Sequence, residues 1–100
     1  MAKEVILTPI ALDDFQNVVA YLISEWGISV ANNFIERFEQ ITFLLSENAG
    51  MFPFFDESRQ MQKCVLTKHN IIYFKETVNS IKILTIFDTR QNPENLTLIF

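Results

Sequence analysis

Two long runs of apolar residues at helical spacing, joined by almost nothing, constrain this chain most. Leu12, Phe15, Val18, Val19, Leu22, Ile23 and Trp26 recur every three or four residues. After Gly27 the same period returns in Val30, Ala31, Phe34, Ile35, Phe38, Ile41, Leu44 and Leu45. Each run predicts a helix with one buried stripe, over about 12–26 and from an N-cap at Ser29 to about Glu47. Gly27 stops the first helix, and one to three connecting residues force the two to lie antiparallel. Asp13 and Asp14 fall in the expected first turn, where the helix dipole favours anions. A helical hairpin must bury its stripe against something, and the rest of the chain has to supply it.

The remainder reads as strands. Val5 to Thr8 is a short strand closed by Pro9. Met61 to Thr67 turns at Lys68-His69-Asn70 into Ile71 to Lys75, and Thr77 to Ser80 leads into Ile81 to Asp88. Such short links predict an antiparallel meander. The expected fold is therefore α+β: one domain over 1–100, with an N-terminal strand and a helical hairpin on an antiparallel sheet of three or four strands. Odd positions (Met61, Val65, Ile71, Tyr73, Ile81, Ile83, Phe87) and even positions (Cys64, Leu66, Ile72, Phe74, Leu84, Ile86) are both apolar, so both sheet faces need cover. The hairpin takes one. The tail 96–100, LTLIF, or another chain takes the other. Residues 50–60 form a loop in which Phe52, Phe54 and Phe55 flank Pro53. That loop is either a lid folded back on the core or a wedge for a partner.

Composition removes several function classes. Of the 100 residues 49% are hydrophobic, ten are Phe and two are Gly, which is a globular rather than a disordered composition. A single cysteine, Cys64, makes no internal disulfide and no cysteine metal cluster. It reads as a small core residue in a chain suited to a reducing, cytoplasmic compartment. A lone His69 makes no multi-histidine metal site. Neither a metal nor a cofactor is expected, since no nucleotide-binding, metal or serine-nucleophile motif is present. No signal peptide or membrane span is visible. The net charge of −4 is uneven: the first fifty residues carry −5 and the last fifty +1. That balance disfavours general nucleic-acid binding while leaving a local basic surface in the second half.

The stretch 82–93, KILTIFDTRQNP, raises the question of a site, because a core strand runs straight into a knot of polar groups. Asp88 near Arg90 can orient the guanidinium, and a hydrogen-bonded pair at a strand end is equally consistent. Trp26 at the end of the first helix is packing or, if exposed, an anchor for a partner.

Taken in order, Trp26-Gly27, Ala31-x-x-Phe34, the block 63–73 (KCVLTKHNIIY) and the block 83–94 (ILTIFDTRQNPE) resemble the RelE/ParE superfamily of toxins from type II toxin–antitoxin, or plasmid-stabilisation, systems. The resemblance covers about residues 5–96. It implies a growth-inhibiting toxin neutralised by a cognate antitoxin that wraps it, in a hetero-oligomer, or a homodimer of the toxin itself. One branch of the superfamily cuts mRNA on the ribosome; the other inhibits DNA gyrase. Cutting RNA needs a base, cations at the phosphate and an acid. The catalytic candidates the resemblance offers are Arg90, His69 and Lys63. Gln62 stands where a strand arginine is expected, Phe87 where many members carry His, and no Tyr or His follows Arg90. His69 also reads as a solvated turn residue, and Tyr73 as a sheet-face residue. The acidic balance and the scarcity of these groups favour a gyrase-type, protein-binding toxin over a RelE-like endoribonuclease. A catalytically inactive antitoxin binder, or a small dimeric interaction domain outside the superfamily, are the other readings. The partner-binding residues expected are Arg90, Asp88, Trp26, Phe52, Phe54 and Phe55.

Overall fold

The computed structural model describes residues 2–96. The chain runs β1 (Glu4–Leu7), α1 (Pro9–Trp26), α2 (Ile28–Asn48), a 3₁₀ turn (Ala49–Met51), β2 (Phe54–Asp56), β3 (Met61–Thr67), β4 (Asn70–Glu76) and β5 (Ser80–Asp88). The strands form one sheet in the order β1-β5-β4-β3-β2. The two helices pack on one face of it, as the apolar stripes require.

The sheet has five strands, not three or four, and it is mixed. β1 pairs parallel with β5, Val5 against Ile81 and Leu7 against Ile83. The parallel direction follows from the hairpin: α1 and α2 return the chain to its starting end before the meander begins. β2 is the other addition, a short edge strand inside the predicted loop, paired with β3 through Phe54 and Gln62. Gln62 is buried, and its Nε2 donates to Ala49 O (2.8 Å) and Phe52 O (3.1 Å). The residue standing in for an expected arginine therefore fastens the turn that leads into β2.

Helix starts differ from the sequence expectation for local reasons. α1 begins at Pro9, where the missing N–H costs nothing, and Thr8 Oγ1 caps it by accepting from Ala11 N at 3.1 Å. Asp13 and Asp14 consequently lie beyond the first turn. Ser29 is inside α2 rather than its cap, because Gly27 alone both ends α1 and precedes α2. Gly27 has φ 95° and ψ 171°, a region essentially reserved for glycine. Its N–H donates to Leu22 O and Ile23 O, closing the last turn of α1. Nothing lies within 4 Å of where a Cβ would stand, so Gly27→Ala should cost about 1–3 kcal/mol through backbone strain alone, read as a lower urea midpoint.

The core between helices and sheet gathers Ala11, Phe34, Phe38, Ile41 and Leu45 with Cys64, Leu66, Ile72, Phe74, Ile81, Ile83 and Ile86. Phe15 sets its ring 5.8 Å from Phe34 and 4.7 Å from Phe38, locking the hairpin. Ile81 and Ile83 join even-numbered residues here because β5 carries a bulge. Tyr73 faces Thr85 and Phe74 faces Ile83, which leaves Leu84 without a partner. One extra residue reverses side-chain parity, so strict alternation assigned both isoleucines to the wrong face.

The opposite face carries a smaller cluster of Tyr73, Phe87 and Leu96, with Ile71 against it. Leu96, only 7% exposed, is part of the cover expected from the tail, whose residues 97–100 lie outside those described. No helix among the described residues is long and apolar enough to cross a membrane.

Candidate functional site

Beyond Ile83, β5 loses its neighbour, because β1 ends at Leu7 and turns into α1. The freed edge is satisfied by Thr8 and Asp14. Thr8 N donates to Ile83 O (3.0 Å), and Thr8 Oγ1 donates to Leu84 O (2.9 Å). Asp14 Oδ2 accepts from Ile86 N (3.0 Å) and from Thr85 Oγ1 (2.6 Å). Asp14, read from sequence as helix-terminal charge, is thus the acceptor that replaces a missing strand.

From that edge a cleft of about 880 Å³ opens between the hairpin, the β3–β4 turn and the exit of β5. Successive turns of α1 present Asp14, Asn17, Val18, Tyr21 and Trp26 to it. α2 presents Val30, Asn33, Phe34 and Arg37, and the strand ends add Thr67, His69, Asn70, Asp88 and Arg90. The cleft therefore assembles four residues singled out in the sequence, Trp26, His69, Asp88 and Arg90, from three separate parts of the chain.

The polar exit of β5 folds onto itself. Arg90 Nε donates to Asp88 Oδ1 (3.0 Å), Arg90 Nη2 to Asp88 Oδ2 (2.7 Å), and the Arg90 backbone N–H to Oδ1 (2.9 Å). This fork holds the Asp88 carboxyl below its ordinary pKa range, against a smaller opposing effect of burial, and His69 adds a weaker push in the same direction as the fork. Arg90 is held more firmly protonated, chiefly by Asp88, with Tyr21 contributing. A carboxyl whose folded pKa is depressed contributes stability above its unfolded value, near 3.9, and loses it as pH falls through the lower folded value. The pair should therefore stay closed across neutral pH and open only in acid. An NMR titration of the Arg90 Nε–H should show one acidic transition that disappears in Asp88→Asn.

His69 is exposed on the two-residue β3–β4 turn. Its N–H donates to Thr67 Oγ1 (3.3 Å) and its carbonyl accepts from Thr89 N (2.8 Å), which ties the turn to the end of β5. Lys63 stands apart: it is exposed on β3 opposite Tyr73, on the face away from the helices. The three loop phenylalanines separate. Phe52 packs into the main core, 6.2 Å from the Phe74 ring; Phe55 meets Tyr73 edge-on at 5.0 Å; Phe54 is half-exposed at the sheet edge. None of them borders the cleft. Phe55 instead joins Met61, Ile71, Tyr73, Phe87 and Leu96 around a second, apolar groove of about 570 Å³ on the opposite face. Burial raises the Tyr73 phenol and the Cys64 thiol, the latter against a lowering by Arg37.

Tyr21 and Arg37 are among the cleft residues that the sequence did not single out. Tyr21 follows Asp14, Asn17 and Val18 on one stripe of α1, a mixed polar stripe beside the apolar one. Arg37 is the lone base of α2, between Phe34, Phe38 and Ile41, and its Nε donates to Leu66 O at 3.1 Å. Among the described residues, no group of three or more His, Cys, Asp or Glu side chains could hold a metal ion.

Solved structures with this architecture include a chain of the chromosomal ParDE TA system from P. aeruginosa. It superposes with a TM-score of 0.74 at 15% sequence identity, covering 89% of this chain and 98% of that one. A chain of the YoeB-YefM complex from Staphylococcus aureus superposes with a TM-score of 0.59 at 10% identity, covering 87% and 97%. No family model and no curated protein matches the sequence. At such identities the likeness is one of fold alone: the chain shares with both a pair of helices packed on one face of a mixed sheet.

Proposed function

We propose that the chain is the toxin of a type II toxin–antitoxin pair, of the ParE kind. On this reading it inhibits bacterial growth by binding a protein target such as DNA gyrase, and a cognate antitoxin neutralises it. The observation that carries the reading is the near-complete superposition on a chain of a ParDE system. Within the superfamily, the state of Arg90 supports the protein-binding branch. A guanidinium that stabilises a phosphate as charge develops must have donors free to do so. Here Asp88 takes two of its five N–H donors and neutralises its charge, and Asp14 adds a second carboxylate to the same cleft.

One observation favours the second reading, a RelE-like ribosome-dependent mRNA endoribonuclease: His69 and Arg90 line the same cleft, so an acid–base group and a cation share one site. Expression of the chain alone in a bacterial host separates the two. Growth arrest with trapped gyrase–DNA complexes, an SOS response and intact mRNA is the expected result. Arrest with cut mRNA, relieved by His69→Ala, would replace it with the nuclease reading. Normal growth would sink both.

A further inference from the structure

Arg37 is the charged group in the cleft whose capacity is left open. Asp88 and Arg90 neutralise each other, and Asp14 Oδ2 is engaged by the β5 edge. The ion pairs among the described residues are Lys3–Glu76, Arg59–Asp56 and Arg90–Asp88, and Arg37 is in none of them. Its own helix cannot supply a partner, since the positions three and four residues away are Phe34, Asn33, Gln40 and Ile41. Yet the side chain is held. The bond from Nε to Leu66 O tethers the guanidinium in the lining of the cleft and leaves the Nη groups to serve a planar, two-oxygen acceptor. An arginine ordered before binding loses little freedom when it binds.

Across the same cleft, Trp26 is 68% exposed, beside Val30 and Tyr21, which are also exposed. A large aromatic ring left in water in the same cleft as a hydrogen-bonded cation is the arrangement expected of an interface anchor. The remaining charges specify the ligand further. With Asp88 and Arg90 paired, Arg37 faces Asp14 as the other charge of the cleft, a balance suited to a ligand with one negative charge rather than a polyanion such as nucleic acid, and the chain as a whole is acidic. A single carboxylate among apolar side chains satisfies all three constraints.

We propose that this cleft is the receptor for a peptide segment of a protein partner, which places one Asp or Glu carboxylate on Arg37 and an apolar side chain on Trp26. The inference rests on the protein-binding reading above and adds the chemistry of what is bound.

A random 16-residue peptide library displayed on phage, selected in parallel on the wild-type chain and on Arg37→Gln, tests it. Peptides won on the wild type should carry a lone acidic residue flanked by apolar ones, and the Arg37→Gln selection should lose that signature. A synthesised winner should shift the emission of Trp26, the single tryptophan of the chain. Changing its acid to the amide should weaken binding about tenfold or more, and Arg37→Gln should abolish that discrimination. Failure to select any peptide, selection of peptides without an acid, or acidic winners indifferent to Arg37→Gln would overturn the proposal. Growth arrest is scored independently: arrest without the acidic signature sinks this inference and leaves the toxin reading standing, and the signature without arrest does the reverse.

Discussion

Replacing Phe74 with alanine should lower the free energy of unfolding by about 3–5 kcal/mol, the cost of a large cavity in a fully buried core. Phe74 is 0% exposed, sits on β4 in the middle of the sheet, and takes the edge of Phe52 at 6.2 Å. A small domain holds only about 5–15 kcal/mol in total, so the variant should be marginal or unfolded in a urea titration. Phe43→Ala is the control. Phe43 lies on α2 with most of its ring in water, and its removal should shift stability by no more than about 0.5 kcal/mol. Equal effects at the two positions would mean that the helices do not cover the face assigned to them.

The second large effect is expected at Asp14. Asp14→Ala removes the acceptor for Ile86 N–H and for the hydroxyl of Thr85, a side chain only 1% exposed. Leaving buried donors unsatisfied should cost about 2–3 kcal/mol. Asp13→Ala, one residue away and exposed, should stay within about 0.5 kcal/mol. Because the loss is shared with Thr85, Asp14→Ala should be milder in a Thr85→Val background than in the wild type. Hydrogen exchange gives a local check: the Ile86 amide should exchange faster in Asp14→Ala, while Ile72 across the ladder keeps its protection. A cost that is the same in both backgrounds would show that Asp14 does not hold the strand edge.

The elements that could be read from sequence are those whose signal is local. Phe15, Phe34 and Phe38 recur at helical spacing, and Gly27 punctuates them, so the hairpin was evident. The run from Ile81 to Asp88 was evident as a strand for the same reason. What escaped depends on partners far away in the chain. The bulge at Leu84 leaves no mark in composition, yet it reverses which isoleucines face the helices. β2 is too short to carry a period of its own and exists because β3 offers an edge. The parallel place of β1 follows from the return path of two helices rather than from anything in residues 4–7. The cleft was half legible. Arg90, Asp88, His69 and Trp26 stand out as charged, titratable or bulky groups at element ends, where exposure is expected. Arg37 and Tyr21 sit mid-helix among ordinary surface residues, and only the crossing of the hairpin over the strand ends brings them to the same opening.

The pairing of β1 with β5 also dictates when the molecule can exist at all. Glu4 meets Ser80 and Leu7 meets Ile83, so two segments more than seventy residues apart must find each other, and β5 is the strand to which β1, β4 and α1 all attach. During synthesis the hairpin is finished early, but its floor stays incomplete until the final strand emerges. Such late, long-range closure is slow and leaves greasy helix faces uncovered meanwhile. A nascent chain therefore keeps apolar helix surface in water until the residues of β5 have been made, and that interval is when it is most prone to association.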